Sequence, residues 1–280
     1  MSEMIHQIWI TTNNENPPIS LQSKIDKVKS TYSNWKYTLW NDVSIREFLK
    51  ENFDDKVTMT YDLLKPYSFK ADLAKLAILY KLGGYYFDVA ICPEYSFEPN
   101  APTVFQGNKS LLKSNNLNIV EMSLLCFKES GNKFLKDGLD LLVSNALRLL
   151  YNQHPLDVTG PVMLGRIDNT NIDKLSVGYN NDCQCGIDKD GNVTHYYKNK
   201  GNLRKDLSEL GSIGTNDYEK MWFHNDIYDI EYIGKYFDKL NINKVIINIE
   251  NRNKNLLPPL LKKLTNRPYY IDRKAKRLII

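Results

Sequence analysis

The sequence predicts an α/β protein built on a mostly parallel sheet. Three observations carry that expectation. Segments with two-residue alternation and segments with helical spacing follow one another from the N-terminus. The run 67–82 has helical spacing and passes through a glycine pair into a strand. That strand leads into an acid, Asp88, at the carboxyl edge where open α/β sheets bind ligands. The composition, 280 residues with 42% hydrophobic and 25% charged, suits a folded chain with a sizeable core.

In order, residues 5–10 read as a first buried strand and 11–18 as a polar, proline-bearing loop. Ser20 can cap a helix with Leu21, Ile25 and Val28 inward. Residues 35–40 alternate as a second strand, and Asp42 can cap a helix with Ile45, Phe48 and Leu49 inward. Pro66 and Ser68 suit the start of the next helix, whose apolar face is Phe69, Leu73, Leu76, Ala77 and Tyr80. Gly83 suits its C′ position. From Tyr85 the period becomes two, placing Tyr86, Asp88 and Ala90 on one side of a strand that ends at Cys92-Pro93. An acid in so apolar a run is costly unless paired, metal-bound or at the wet end of the strand.

Beyond Pro93 the order loosens. Residues 103–106 and 119–127 read as strands around a polar loop at 107–118. A helix over about 132–151 presents Leu135, Leu139, Leu142, Ala146 and Leu149. Residues 157–161 form a loop able to start a short helix, and 165–192 read as irregular, with a turn near the end. Residues 193–197 form a strand, 231–240 a helix, 244–249 a strand and 256–264 a helix. Two units follow, a body over 1–230 and a basic extension over 231–280 packed on or beside it.

The charge divides the same way. The net charge is +4, but residues 231–280 hold twelve Lys or Arg against four Asp or Glu, leaving −4 for the rest. The basic segment suits an anionic membrane surface, where each well-placed cation contributes about 1 kcal/mol. No module motif supports nucleic-acid binding. No run is long and apolar enough to span a membrane, and no secretory leader is visible. Cys92, Cys126, Cys183 and Cys185 lack zinc-site spacing and read as reduced thiols. The expected location is the cytoplasm, with peripheral attachment at the inner face of the membrane.

Asp72-Leu-Ala-Lys75 followed by Gly83-Gly-Tyr-Tyr86-Phe-Asp88-Val-Ala90 resembles the sugar-binding region of family 32 glycosyltransferases and, more distantly, the glucosylating bacterial toxins. Ile5-His-Gln-Ile8-Trp9 resembles the first strand of that family and Thr159-Gly-Pro161 a later loop. The resemblance spans roughly residues 5–165. It implies a GT-A fold: a Rossmann-like nucleotide-binding sheet with an acceptor-binding half. It also implies hexose transfer from a nucleotide sugar, a UDP-sugar above all, with retention at the anomeric carbon.

Carried over by position, Ile8 and Trp9 belong to the donor site, with Trp9 stacked on the base. Asp72 and Tyr86 contact the ribose and nearby groups. Asp88 is the catalytic-site carboxylate and a metal ligand. Lys75 stands where the family usually has Arg, without the planar fork of Arg. Ala90 departs from the pattern. Two carboxylates at i and i+2 of a strand can hold a divalent ion against the leaving diphosphate, and Ala90 supplies none. Mn2+ or Mg2+ is therefore expected to act weakly or not at all. The later segment 219–226 offers Trp222 for a phosphate and His224 and Asp226 for a metal.

The expected partners are a nucleotide-sugar donor and a glycan or lipid-linked oligosaccharide acceptor of the capsular or lipopolysaccharide kind. The rival readings are a nucleotide-sugar-binding protein that has lost turnover, favoured by Ala90, and an effector that glycosylates host protein. A phosphatase with an Asp-x-Asp strand needs a second acid where Ala90 stands.

Overall fold

A computed structural model describes residues 3–11, 13–106, 119–168, 170–181, 183–197, 217–229 and 232, with the backbone of 246–248, 270–272 and 277–279. The first elements are strand β1 (Met4–Ile8), helix α1 (Ile19–Thr31), β2 (Lys36–Trp40), α2 (Asp42–Asn52), α3 (Asp55–Leu63), α4 (Tyr67–Leu82) and β3 (Gly84–Phe87). Then come β4 (Ile91–Pro93), β5 (Thr103–Gln106), β6 (Val120–Phe127), α5 (Lys133–Leu147), a 3-10 turn (Pro155–Asp157) and α6 (Pro161–Leu164). Strands β7 (Asp173–Asn180), β8 (Cys183–Ile187) and β9 (Val193–Tyr197) precede α7 (Tyr218–Phe223).

Nine strands form one mixed sheet in the order β2-β1-β3-β6-β5-β7-β8-β9-β4. The α/β class is as expected, but the sheet is not mostly parallel. β1 runs parallel to β2 and β3, and β5 parallel to β7. The other five pairings are antiparallel. Long crossovers, which parallel pairing needs, join the N-terminal strands and, through β6, α5 and α6, β5 to β7. The later strands are joined by hairpins such as β7-β8-β9, in a region whose polar composition concealed them.

The sheet curls. β3 lies third in the order and β4 last, yet only Asp88, Val89 and Ala90 separate them in the chain. Four residue steps span at most about 14 Å. The far end of the sheet must therefore return to β3. The Asp88–Ala90 turn sits where this curl closes, with the Ile91 N–H donating to Asp88 O at 2.9 Å.

Helix α4 is central rather than amphipathic. Leu73, Ala74, Leu76, Ala77, Ile78 and Leu79 are all fully buried, together with Phe69, because α4 contacts α2, α3, α5, α7, β1 and β3. The glycine pair after it is required twice over. Gly83 has φ 67° and Gly84 φ 96°, and a Cβ on Gly84 would lie 2.5 Å from Met4 O on β1.

The helix starts differ by a residue or two from those expected. Pro18, not Ser20, precedes α1, since Ser20 lies inside its first turn. Asn41, not Asp42, caps α2, in a reciprocal capping box with Ser44. Asp42 instead accepts from Arg46 Nε and the Tyr61 hydroxyl, both at 2.9 Å. Helix α3, started by the Asp54 side chain, lies between two expected elements where no helix was foreseen. The expected strand through Ala90 ends at Phe87.

The expected helices at 231–240 and 256–264, the loop at 107–118, and most of the basic extension lie outside the described residues. Within that extension β10 (Ile246–Asn248), β12 (Arg277–Ile279) and β11 (Tyr270–Asp272) make a separate antiparallel three-stranded sheet. Among the described residues, no helix is long and apolar enough to cross a membrane.

Candidate functional site

A cavity of about 320 Å³ opens beside the Asp88–Ala90 turn. Asp72 and Lys75 line it from α4, Glu121 and Ser123 from β6, Gln184 from β8 and Tyr197 from β9. Gly160 and Pro161 come from the start of α6.

At its centre is the Lys75 ammonium. Asp72 and Lys75 are three residues apart on α4 and so share a face. The ammonium lies 3.2 Å from Asp72 Oδ1, 3.4 Å from Asp88 Oδ1 and 3.1 Å from the carbonyl of Met122. It also stands 4.6 Å from the centre of the Tyr86 ring. An ammonium has three donors, and these three oxygens take them. Lys75 thus orients two carboxylates and has no spare N–H for a phosphate in this arrangement.

One ammonium serving two carboxylates explains the electrostatics. Burial alone would pull Lys75 down, but Asp88 and then Asp72 outweigh it and hold it above its ordinary range. Asp72 has only a share of that charge. Its burial pushes it up to about 6, against the opposing pull of Lys75 and of the Thr159 hydroxyl, which donates at 2.9 Å. The Tyr86 hydroxyl donates to Asp88 Oδ1 at 2.7 Å. Burial and then Asp88 push that phenol far up, so it remains a donor.

Second-layer contacts hold these groups. The Asp88 N–H donates to Ser123 O at 2.8 Å. Gln7, fully buried on β1, donates through Nε2 to Asp88 O at 3.4 Å, and its Oε1 accepts from the Tyr37 hydroxyl at 2.8 Å. Arg166 makes a two-point contact with buried Asp157, at 2.8 and 2.5 Å. That contact braces the loop that carries Thr159 to Asp72.

Asp72, Lys75, Tyr86 and Asp88 thus come together, though Asp88 and Ala90 do so on a turn rather than on one strand face. The other expected residues lie elsewhere. Trp9 is 7% exposed, packs with Leu21, Ile25 and Val89, and donates its indole N–H to Glu15 O at 2.8 Å. It supports the turn through Val89 and is not on the cavity wall. Ile8 is in the main core. Trp222 is 2% exposed and donates to Tyr151 O at 2.7 Å, an ordinary buried indole with its polar end satisfied.

The residues expected to bind metal do not form one ligand set. His224 Nδ1 lies 2.7 Å from Lys220 O, and Asp226 lies 2.5 Å from Lys65. Neither lines the cavity with Asp88. No group of three or more His, Cys, Asp or Glu able to hold a metal occurs among the described residues. Asp88 Oδ1 is taken by Tyr86 and Lys75, and Ala90 brings no oxygen ligand. The residues in place do not fit the expected metal site, so no chemical step is derived through a metal.

Residues not anticipated are Glu121, Ser123, Gln184 and Tyr197. Glu121 and Ser123 carried a readable signal: two polar residues at i and i+2 within an otherwise apolar strand face the same way.

Residues 18–115 match the family described as "Glycosyltransferase sugar-binding region containing DXD motif". Where that description names DXD, this chain has Asp88-Val89-Ala90. The chain is 38% identical over 86 residues to "Uncharacterized glycosyltransferase L373" of Acanthamoeba polyphaga mimivirus, covering 31% of this chain and 34% of that protein. It is 33% identical over 98 residues to "Inositol phosphoceramide mannosyltransferase 3" of Schizosaccharomyces pombe, covering 35% and 26%. The matches thus span about a third or less of these relatives. The solved structure "PaToxG Glycosyltransferase" aligns with a TM-score of 0.44 at 18% identity, over 59% of this chain and 68% of that one, a likeness too distant to add weight. The similarity is therefore local: residues 18–115 are similar to a glycosyltransferase sugar-binding region, and Asp72, Lys75, Tyr86 and Asp88 all fall inside that stretch.

Proposed function

We propose that this chain transfers a hexose from a nucleotide-sugar donor, a UDP-sugar first among the candidates, to a hydroxyl of a surface glycan or lipid-linked oligosaccharide. The observation that carries the reading is the buried Lys75 bridge between Asp72 and Asp88, set in a cavity within the stretch similar to a sugar-binding region. The mannosyltransferase names among the relatives add mannose to the hexoses worth testing. The basic C-terminal segment supports an acceptor held at an anionic membrane surface, at the inner face of the membrane in the cytoplasm.

In the proposed reaction the bond between the anomeric carbon and the phosphate oxygen breaks, and its electron pair leaves with the diphosphate. The acceptor oxygen bonds to the same face of that carbon, which retains configuration. Its proton passes to the departing phosphate. The part of the chain is to orient. Lys75 fixes the Asp88 carboxylate, and Tyr86 fixes its Oδ1, so Oδ2 is presented to the donor in one direction. Charge on the diphosphate is not offset by Lys75, whose donors are occupied, and is the weak point of the site.

That weak point favours a second reading, donor binding without turnover, through Ala90. A thermal-shift panel of UDP- and GDP-hexoses, each with and without Mn2+, followed by a transfer assay on the donor that stabilises, separates the two. The transferase reading expects a stabilising donor and product formation that Asp88→Asn abolishes while the melting temperature holds. Binding with no transfer or hydrolysis supports the second reading. No stabilisation by any nucleotide sugar removes both.

A further inference from the structure

We propose that Glu121, Ser123 and Tyr197 form a polyol subsite, which takes vicinal hydroxyls of a neutral six-membered ring, a hexose or a cyclitol. This deepens the nucleotide-sugar reading and rests on it.

The sheet puts these residues at the turn. Glu121 and Ser123 share one face of β6, and Ser123 O accepts the Asp88 N–H. Tyr197 on β9 stands opposite Ile91, the residue that follows the turn. The two strands thus approach Asp88–Ile91 from either side of the closing curl, and both contribute to the same cavity wall.

Ser123 Oγ and Tyr197 Oη are closed off from solvent; they lie near each other, and neither completes a hydrogen bond of ordinary geometry within the protein. Ser68 Oγ, on the same cavity at the start of α4, is a third. A buried hydroxyl without a partner is destabilising, and few persist in folded proteins without a ligand or water to complete them. Nothing in the Lys75 bridge employs these three.

Charge selects the ligand class. Burial first, and then the negative charge of Glu121, push the Tyr197 phenol far up, so it stays a donor; Asp88 adds to the same effect. A wall with Glu121 beside Asp88 repels phosphate and carboxylate. It suits a neutral group that both donates and accepts, as each ring hydroxyl does, with the Ser123 and Tyr197 hydroxyls as its partners. The ring can come from the donor or from the acceptor.

The test is calorimetry on the full chain and on Ser123→Ala and Tyr197→Phe, which delete a hydroxyl and keep the shape. The titrants are the nucleoside diphosphate alone, its hexose conjugate, and methyl hexoside or myo-inositol added in the presence of the diphosphate. Two lost hydrogen bonds predict that the double variant loses about tenfold in ring affinity, while its affinity for the diphosphate alone holds. Loss in the conjugate arm assigns the ring to the donor, and loss in the free-ring arm assigns it to the acceptor. Ring affinities equal in wild type and variants, with the nucleotide still bound, overturn the subsite alone. Absence of nucleotide binding in the wild type removes the nucleotide-sugar reading and this inference with it.

Discussion

The ammonium of Lys75 lies 3.4 Å from Asp88 Oδ1, across the gap between the central helix and the turn that closes the sheet. The same ammonium holds Asp72 on its own helix. Among the described residues it is the single cation on the cavity wall, and both carboxylates lean on it there.

Lys75→Met is therefore expected to destabilise the fold. Removing one member of a buried ion pair leaves uncompensated charge and typically costs about 3–5 kcal/mol. Denaturant unfolding measures it. Lys75→Met together with Asp72→Asn should recover part of the loss, because one stranded carboxylate is gone. A double variant no more stable than the single one would show that the bridge to Asp72 is not the source of the loss.

Asp72 predicts a pH signature. Its burial raises it from the ordinary 3.8 to about 6. The folded state therefore binds more protons than the unfolded state between those values, and stability falls as pH rises through that window. Above about 6 both states are ionised and the contribution is flat. Melting curves from about pH 4 to about pH 7, compared with those of Asp72→Asn, should show a downward slope in the wild type that the variant lacks. Parallel curves would place the proton elsewhere.

Ala90 gives the metal prediction. It sits half-buried on the turn and lines the cavity beside Asp88. Ala90→Asp would add a second oxygen ligand next to the first. Stabilisation by a nucleoside diphosphate should then become strongly Mn2+-dependent, and the wild-type response should be weak. An identical Mn2+ response in both proteins would mean that position 90 does not face the bound diphosphate.

Much of the geometry beside the Asp88 turn is legible in the sequence. The 67–94 stretch reads as helix, glycine pair and strand because each step has a local cause: apolar spacing, a positive φ, then alternation. The four residues of the bridge belong to that single stretch, so a local reading could nominate them together. Trp9 and Trp222 are buried away from this cavity, which a local reading could not tell. An aromatic side chain can stack on a ligand or fill a core, and which one it does depends on partners distant in sequence: Val89 for the first and Tyr151 for the second.

By itself, the sequence determined the α/β class, the order of the early elements apart from α3, and the identity of the Asp72–Asp88 group. Periodicity and backbone constraints act within a few residues, and those features need nothing further. Only the tertiary structure decided that the sheet curls until β4 returns beside β3, and that Glu121, Ser123 and Tyr197 meet at the turn. It also decided that one ammonium serves two acids. Strand pairing across the sheet is set by long-range packing, and the charge on Lys75 has meaning only once burial has removed the water around it.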